Sequence, residues 1–462
     1  MADEIELKLE LSAQGTQALE TSGLLPGDPA VADQRSLYFD TPAHDLAAAG
    51  LSLRIRRTGR KRIQTVKAAS AKAGLFVRPE WESPVKDDLP ILDDTTPVRA
   101  MLGDKAAGIA PLFEVRIQRR VWTLDDDGAT IELALDQGEA IAGERQAPIR
   151  EIELELKQGT PEALFALARR IDALTPARIG VLSKAERGYR LSGPSRAMVK
   201  AEPVALTPEM TAAQAFQVIA GNCLRQFRLN ENLLLDHRHA GALHQSRVAL
   251  RRLRSALTIF RPVIGEASRV WPGEQLRWLA SELGDARNLD VLLDRAGKGA
   301  LHDRISAARE VAYDKVIDRL ASPPARALML DLAQWLATGP WLTAPDTAEA
   351  RQLPAREFAM TALDRLRRKV KRGGHHLGGT DDEARHTLRK DAKKLRYGAD
   401  FFASLFPRKR QERRLKRFMG ALEGLQEELG VLNDIATAPS LLEQLGLTDD
   451  PGAPALLAHG EK

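Results

Sequence analysis

At 462 residues the chain is too long for one ordinary core, and two domains of normal size are expected. A hydrophobic content of 44% with 28% charged residues describes a globular protein, and the single cysteine, Cys223, excludes an intrachain disulfide and fits a reducing compartment. No run approaches the roughly 18 to 20 uninterrupted apolar residues of a membrane helix, and the N-terminus begins a strand rather than a signal sequence, so a cytoplasmic protein without a membrane partner is expected. The net charge of +5 is unevenly spread: residues 361–417 hold 19 Lys and Arg against 7 Asp and Glu, a local +12 that leaves the rest of the chain at −7. A basic segment beside an acidic remainder points to two electrostatic tasks, the basic one directed at polyanions.

The first element, EIELKLEL at 4–11, alternates with period two, so a strand here sets Ile5, Leu7, Leu9 and Leu11 against Glu4, Glu6, Lys8 and Glu10. LSLRIRR at 51–57 opposes Leu51, Leu53 and Ile55 to Ser52, Arg54 and Arg56, and TIELALD at 130–136 opposes Ile131, Leu133 and Leu135 to Glu132, Ala134 and Asp136. REIELELK at 150–157 sets Ile152, Leu154 and Leu156 against Glu151, Glu153, Glu155 and Lys157. Turn signals such as Asp126-Asp127-Gly128 separate these runs, which read as an antiparallel β domain. Helical patterns interrupt it at 161–174, where proline occupies the first turn, and near 183–190.

Residues 193–208 carry three prolines and no clear period, as a linker does. Beyond them the sequence is almost wholly helical and contains an internal repeat. HQSRVALRRLRSALTIF at 244–260 matches HTLRKDAKKLRYGADFF at 386–402, and LASELGDARNLDV at 279–291 resembles LQEELGVLNDIAT at 425–437. Two matches in the same order argue for a duplicated helical unit. The last stretch, from 447, reads as a flexible tail.

The charged strand faces are sorted by sign. Carboxylates occupy the strands at 4–10, 132–136 and 151–155, whereas arginines occupy 54–56. Closing this sheet into a barrel would turn both sets inward, where clustered carboxylates are tolerable mainly around cations. A hard divalent ion prefers carboxylate oxygens and bridges readily to phosphate, while Arg and Lys on the other wall would grip phosphates directly. Such an interior suits a metal-bound polyphosphate chain.

EIELK at 4–8 reproduces the ExExK signature of the CYTH family, the triphosphate tunnel metalloenzymes. The resemblance continues through YFDT at 38–41, Arg54 with Arg56, TVK ending at Lys67, RPEWE at 78–82, ALDQG ending at Gly138, IELELK and LSKAERGY at 182–189. This ordered set covers nearly all of residues 1–192. It implies an eight-stranded antiparallel tunnel in which Glu4, Glu6, Glu153 and Glu155, assisted by Asp136, hold a divalent metal, Mg²⁺ or alternatively Mn²⁺. It also implies a catalytic set of Glu4, Glu6, Lys8, Arg54, Arg56, Lys67, Arg119 and Lys184, the last reaching in from a short helix that plugs one end. Arg78, Glu80 and Glu82 join as further substrate-binding candidates. In EVRIQRRVW at 114–122, Arg119 shares its phase with Val115, Ile117 and Val121, so either this wall is partly apolar or Arg116 is the inward residue; the spacing to Trp122 favours Arg119.

The second half resembles the CHAD domain. At about 100° per residue, His244, Arg247, Arg251 and Arg254 fall within about 80° of one helix face, and His386, Arg389, Lys393 and Arg396 occupy the same window. With Arg252 and Lys390, these residues are the expected polyphosphate-binding set. The expected architecture is an α+β multidomain protein: a β tunnel with flanking helices over 1–192, a linker over 193–208, an all-α duplicated bundle over 209–446 and a tail over 447–462. The expected activity is hydrolysis of inorganic triphosphate in the tunnel, with long-chain polyphosphate bound by the helical half. On that reading an association with polyphosphate granules follows, and nucleic acid, which aromatic side chains would stack against, is not the partner. The alternatives are thiamine triphosphatase or adenylate cyclase activity in the tunnel, or a non-catalytic polyphosphate- or nucleic-acid-binding protein.

Overall fold

Among the described residues nine strands form one antiparallel sheet in the order β5-β4-β3-β2-β6-β7-β8-β1-β9. They are β1 (Ile5–Leu11), β2 (Ala30–Asp40), β3 (Leu51–Thr58), β4 (Lys61–Ala68), β5 (Glu80–Pro84), β6 (Ala110–Asp126), β7 (Ala129–Ala142), β8 (Arg145–Gln158) and β9 (Ala177–Ile179). The computed structural model describes residues 5–68, 80–374 and 382–458, with the side chains at 382, 386, 425–437, 455 and 458 outside that description. Glu4, Arg78 and the His386 side chain therefore lie outside the described residues. The resemblance implies eight strands; the ninth, β9, has three residues paired to Leu9–Leu11 of β1, too few to show a period.

The alternation of β1, β7 and β8 fixes which face each side chain takes. Leu7, Leu9, Leu133, Leu135, Ile152 and Leu154 are buried on the outer face, where α4 (Pro161–Leu174) covers β1 and β8. That helix inserts Leu164, Phe165, Leu167, Ala168 and Ile171, and the leucines, Phe165 and Ile171 each contribute about 1.5–3 kcal/mol by leaving water. Three further helices flank the sheet: α1 (Ala13–Thr21), α2 (Asp45–Ala48) and α3 (Pro97–Leu102). Leu46 of α2 and Val98 and Leu102 of α3 pack with Phe39, Leu53, Ile55 and Val66 beneath the other wing of the sheet.

A fifth helix, α5 (Lys184–Ser192), instead packs Ala185, Tyr189 and Leu191 on the inner-face cluster of Tyr38, Phe113, Val115 and Ile117. It opens with a reciprocal capping box between Ser183 and Glu186. A Cβ at Gly188 would lie 2.0 Å from the Phe113 ring, so only glycine permits this approach. The Tyr189 hydroxyl donates to Asp40 Oδ2 at 2.9 Å, and Asp40 in turn accepts from the backbone N–H groups of Thr41, Leu46 and Ala47. Tyr38 to Thr41 thus ties the plug helix to β2 and α2.

The chain divides into two compact units, the first comprising Met1–Arg196 with Arg326–Thr338, the second Ala197–Ala325 with Gly339–Lys462. The helices after the sheet are α6 (Ala212–Asp236), α7 (Ala240–Ile259), α8 (Arg261–Ile264), α9 (Glu266–Glu282), α10 (Gly284–Arg295), α11 (Ala300–Ala321), α12 (Pro323–Thr338), α13 (Ala348–Gln352), α14 (Ala355–Gly374), α15 (Asp382–Phe401), α16 (Lys409–Gln444) and α17 (Ala453–Ala458). Most of α12 groups with the first unit, where Arg326 pairs with Asp172 at 2.6 Å and Asp331 with Arg169 at 2.6 Å. In the second unit the two repeated stretches become α7 and α15, which pack against one another. Phe216, Phe260, Phe358, Phe402 and Trp341 interlock in its core.

Two segments differ from their sequence-based expectation. Much of the 193–208 linker is pinned: Val199 exchanges backbone hydrogen bonds with the Asn230 side chain at 2.9 and 2.8 Å, Leu206 N–H donates to Ser404, and Val199, Val204 and Leu206 are buried. The tail from 447 buries Leu447, Ala453 and Leu456, and Asp450 pairs with Arg304. Prolines and short apolar runs mask such packing in the sequence, since neither has a period.

Candidate functional site

The sheet curls around a cavity of about 620 Å³, lined from eight strands and α5. Register places the acidic side chains in rows across β7, β8 and β1. Glu132, Glu155 and Glu6 are direct cross-strand neighbours, as are Ala134, Glu153 and Lys8, and then Asp136, Glu151 and Glu10. Arg54, Arg56 and Lys67 line the cavity from β3 and β4. One wall is thus carboxylate-rich and the other cationic.

The most buried carboxylates, drawn from the last two rows, form an ion network. One oxygen from each of Asp136, Glu151 and Glu153 lies within 4.8 Å of the others, a grouping that can hold a cation. Lys184 Nζ sits 2.6 Å from Asp136, 2.6 Å from Glu151 and 2.8 Å from Glu153. Arg119 clamps both oxygens of Asp136 at 2.8 and 2.6 Å and also reaches Glu153. Lys8 pairs with Glu153 and lies 3.1 Å from Glu6, and Arg187 bridges Glu10 at 2.5 Å and Glu151 at 3.3 Å. Burial alone would raise the Glu153 carboxyl, but Lys184, Lys8 and Arg119 hold it well below the ordinary carboxylate range. Burial likewise opposes the charge on Lys184, which Asp136, Glu151 and Glu153 keep well above the usual lysine value.

In the row of Glu6, Glu132 and Glu155 charge is less balanced. Glu132 and Glu155 share one near cation, Lys157, at 3.7 and 2.5 Å, and Glu6 has Lys8 Nζ at 3.1 Å. Glu6 Oε1 is buried and accepts no hydrogen bond even though Lys8 Nζ is 3.1 Å away. On the opposite wall the buried Arg54 Nε donates none. Glu80 and Glu82 of β5 pair with Lys67 at 2.7 Å and Arg56 at 3.4 Å, and Thr65 donates to Glu82 at 3.0 Å. Among the described residues Tyr38 is the one aromatic lining the cavity, and its ring is stacked on Phe113.

Of the tunnel candidates, Glu6, Lys8, Arg54, Arg56, Lys67, Glu80, Glu82, Arg119, Glu153, Glu155 and Lys184 all line this space, and Asp136 lies behind it with no solvent exposure. Arg119 faces inward beside Val115 and Ile117, whereas Arg116 is exposed and pairs with Glu114 at 2.6 Å. Three acids escaped the sequence-derived site. Glu132, Glu151 and Glu10 all carry the strand phase that would have found them, and Glu10 is tied to the network through Arg187.

In the second unit the α7 stripe gathers His244, Arg247 and Arg251 with Arg287 of α10 and Lys393 of α15 around the imidazole. Burial, reinforced by Arg287, Arg251, Arg247 and Lys393, pushes His244 down to about 4. Burial and the neighbouring Arg251 and Arg287 bring Arg247 down to about 10, although its guanidinium donates to the Ala280 carbonyl at 2.7 Å. Burial and then Arg277 lower Arg254. Arg389, Lys393 and Arg396 are half-buried on α15, and Lys390 is exposed. Arg252 is a correction: 2% exposed, it donates to Asn222, Gln226 and Asp400, each at 3.0 Å, and lies over the Phe401 ring. It braces α6, α7 and α15 internally and is not part of the open basic face.

Two family models match the chain, that of the CYTH domain over residues 2–189 and that of the CHAD domain over residues 218–443. An inorganic triphosphatase of Haemophilus influenzae is 33% identical over 209 residues, a match covering 41% of this chain and 55% of that protein. The chain thus spans about half the length of this relative. An uncharacterised protein of Mycobacterium tuberculosis is 28% identical over 418 residues, covering 79% of this chain and 75% of that one. Among solved structures, the CHAD domain of the plant Ricinus communis is 29% identical, covers 57% of this chain and 90% of its own, and superposes with a TM-score of 0.49.

Proposed function

For a chain built of a CYTH domain followed by a CHAD domain, we propose that the tunnel hydrolyses inorganic triphosphate to diphosphate and phosphate with a divalent metal, and that the helical unit binds long-chain polyphosphate. One observation carries the tunnel reading. Its opposed acidic and basic walls leave a buried acceptor, Glu6 Oε1, and a buried donor, Arg54 Nε, without a hydrogen bond, as a ligand of mixed metal and phosphate would require. The near absence of aromatic lining favours an unadorned triphosphate over a nucleotide or thiamine ester.

The chemistry of the donor set fits a hard cation. Glu6, Glu132 and Glu155 would hold it, joined by Glu4, which stands two positions before Glu6 in the sequence, because two lysines, Lys157 and Lys8, offset the three carboxylates of their row. Asp136, Glu151 and Glu153 are compensated by Lys184, Arg119, Lys8 and Arg187 and would brace the cavity floor. Bound Mg²⁺, with Mn²⁺ as the alternative, would neutralise phosphoryl charge. Arg54, Arg56 and Lys67 would bind phosphoryl oxygens, exchanging Glu82 and Glu80 for the substrate. Lys8, Lys184 and Arg119 would hold the innermost phosphate. A water attacks the terminal phosphorus, the bridging P–O bond breaks and diphosphate leaves, while Glu6 Oε1 is an open acceptor for the water's proton. Cations fixed beforehand offset the developing charge without reorganisation.

In the helical unit, basic side chains on α7, α10 and α15 would contact phosphates directly, without metal. No helix among the described residues is long and apolar enough to cross a membrane, and a cytoplasmic protein that associates with polyphosphate granules is consistent with both activities. The test is a phosphate-release assay of tripolyphosphate, ATP and thiamine triphosphate with Mg²⁺ and with Mn²⁺. Faster turnover of tripolyphosphate is expected; faster turnover of either organic triphosphate would overturn the substrate assignment.

A further inference from the structure

The first three turns of α16 carry a second, separate concentration of charge. Between Arg408 and Arg417 stand seven basic residues and one acid, Glu412. On the helix, Lys409, Arg410, Arg413, Arg414, Lys416 and Arg417 fall within about 160° over about 12 Å of axis. All six are exposed, whereas Leu415, Phe418 and Met419 on the other side are half-buried and Leu422 is buried. None of the seven basic residues forms an ion pair among the described residues, whereas other exposed arginines of the second unit do, as Arg304 does with Asp450 and Arg238 with Glu310 and Asp314.

This placement opposes folding. A helix N-terminus is the positive end of its dipole, where cations destabilise by a few tenths of a kcal/mol each, and Arg408 supplies no side-chain cap. Seven cations at that end repel one another as well. Local choices that disagree with stability mark a site kept for binding.

The chemistry of the face selects its ligand. It presents Lys and Arg alone, with no aromatic ring to stack on a base and no amide or hydroxyl to read one, so its contacts are to phosphate. The apolar side of the helix is already turned inward beside α15 and is not free to enter a lipid surface. Continuity supplies the rest: α15, which bears Arg389, Lys390 and Lys393, packs against both α7 and α16, and Arg396 of α15 pairs with Glu423 of α16 at 3.6 Å.

We propose that the N-terminal turns of α16 are a second contact surface for the same phosphate chain that the α7–α15 cluster holds. The proposal rests on the polyphosphate reading of that cluster. A chain long enough to reach both surfaces engages the second intramolecularly, at high effective concentration, and binds more tightly than a short chain confined to one. The unit therefore selects for chain length.

The experiment titrates the full chain, in EDTA to silence hydrolysis, with short and long size fractions of sodium polyphosphate. It compares wild type with a Lys409→Gln, Arg410→Gln, Arg413→Gln, Arg414→Gln variant and with an Arg247→Ala, Arg251→Ala, Arg389→Ala, Lys393→Ala variant. The α16 variant is expected to lose about tenfold or more in long-chain affinity while short-chain affinity stays within about twofold. Its melting temperature should hold or rise, since cations leave the positive helix end. A long-chain preference retained in the α16 variant, or an equal loss for both fractions, would overturn the second surface. So would single-stranded RNA of matched charge that binds wild type as tightly as long polyphosphate and is lost in the same variant. Short chains bound undiminished by the Arg247, Arg251, Arg389, Lys393 variant would instead overturn the α7–α15 reading itself, and the proposal with it.

Discussion

The tunnel and the helical unit both concentrate basic side chains, but they do so in opposite surroundings. In the tunnel nearly every cation has a carboxylate within reach: Lys184 has three, Arg119 two, Lys67 and Arg56 one each. Around His244 the charges that act most strongly on the imidazole are those of Arg287, Arg251, Arg247 and Lys393, all of the same sign. Mixed charge in a cavity positions a small ligand and a metal against fixed dipoles, which suits chemistry. Unmixed charge on helices suits retention of a long polyanion through counterion release. The two should therefore respond oppositely to metal and to salt.

The sharpest way to break this contrast is Glu6→Gln. The substitution keeps size and removes the charge that faces the cavity, leaving the outer apolar face of β1 untouched. Phosphate release from tripolyphosphate should fall by about 10²- to 10⁴-fold, with little change in melting temperature. EDTA should likewise abolish hydrolysis by wild type while leaving polyphosphate binding intact. Turnover near wild type in the variant would remove the acidic wall from the mechanism.

Lys184→Met tests whether the cavity floor is structural. Removing the cation leaves Asp136, Glu151 and Glu153 crowded and undercompensated, a loss of about 3–5 kcal/mol in unfolding free energy. The pH dependence has a definite sign. Glu151 and Glu153 are held below their unfolded values, so their contribution is present above about pH 4.3 and is lost as pH falls through the lower folded values. Lys184 is held above its unfolded value, so its contribution is present below about pH 10.4 and is lost as pH rises through the higher folded value. Denaturant titrations should show the largest gap between variant and wild type near pH 7 and a narrowing gap on acidification. A gap independent of pH would assign Lys184 to packing.

On the helical side, replacing Arg247, Arg251, Arg389 and Lys393 with alanine should remove most polyphosphate binding, by about 10²-fold at low salt. Tripolyphosphate hydrolysis should change little. Wild-type affinity should fall steeply as salt rises. Joint loss of binding and hydrolysis in the variant would mean that the two sites are not independent.

Strand phase made most of the tunnel legible beforehand, because period two assigns each side chain to a face and the two signs of charge sort onto different strands. Arg119 could be separated from Arg116 on spacing, and the structure places it inward. Partnerships were not legible: that Lys184 would join three carboxylates depends on how closely α5 approaches β6, which rests on the missing Cβ of Gly188 against Phe113. The helical stripe was legible for the same geometric reason, and Arg252 shows its limit. Eight residues after His244 it points about 80° away from the stripe, which already directed it toward the interior. Lys394, its counterpart in the repeat, also turns aside, to Asp391 at 3.1 Å. Polar residues on an inward face read as surface charge until a partner such as Asp400, far away in the chain, is known.

The smallest expected effect concerns His244. In the free protein burial and the surrounding Arg287, Arg251, Arg247 and Lys393 hold it near 4, so it is neutral at pH 7. A bound polyphosphate would offset those cations and restore the imidazole toward its ordinary value near 6.5. Binding is then linked to proton uptake between those two values, and affinity must rise as pH falls through about 6.5 and level off near 4. The basic neighbours do not titrate in this window; even Arg247, lowered to about 10, stays charged. From pH 7.5 to 5.5 wild-type affinity for long polyphosphate should rise by up to about tenfold, and His244→Gln should bind with a flatter profile that meets the wild-type curve at high pH. Calorimetric titration in two buffers of different ionisation enthalpy at pH 6 measures the proton count directly. Equal proton uptake by wild type and His244→Gln would place the titrating group elsewhere and leave the histidine as a neutral spacer among the arginines.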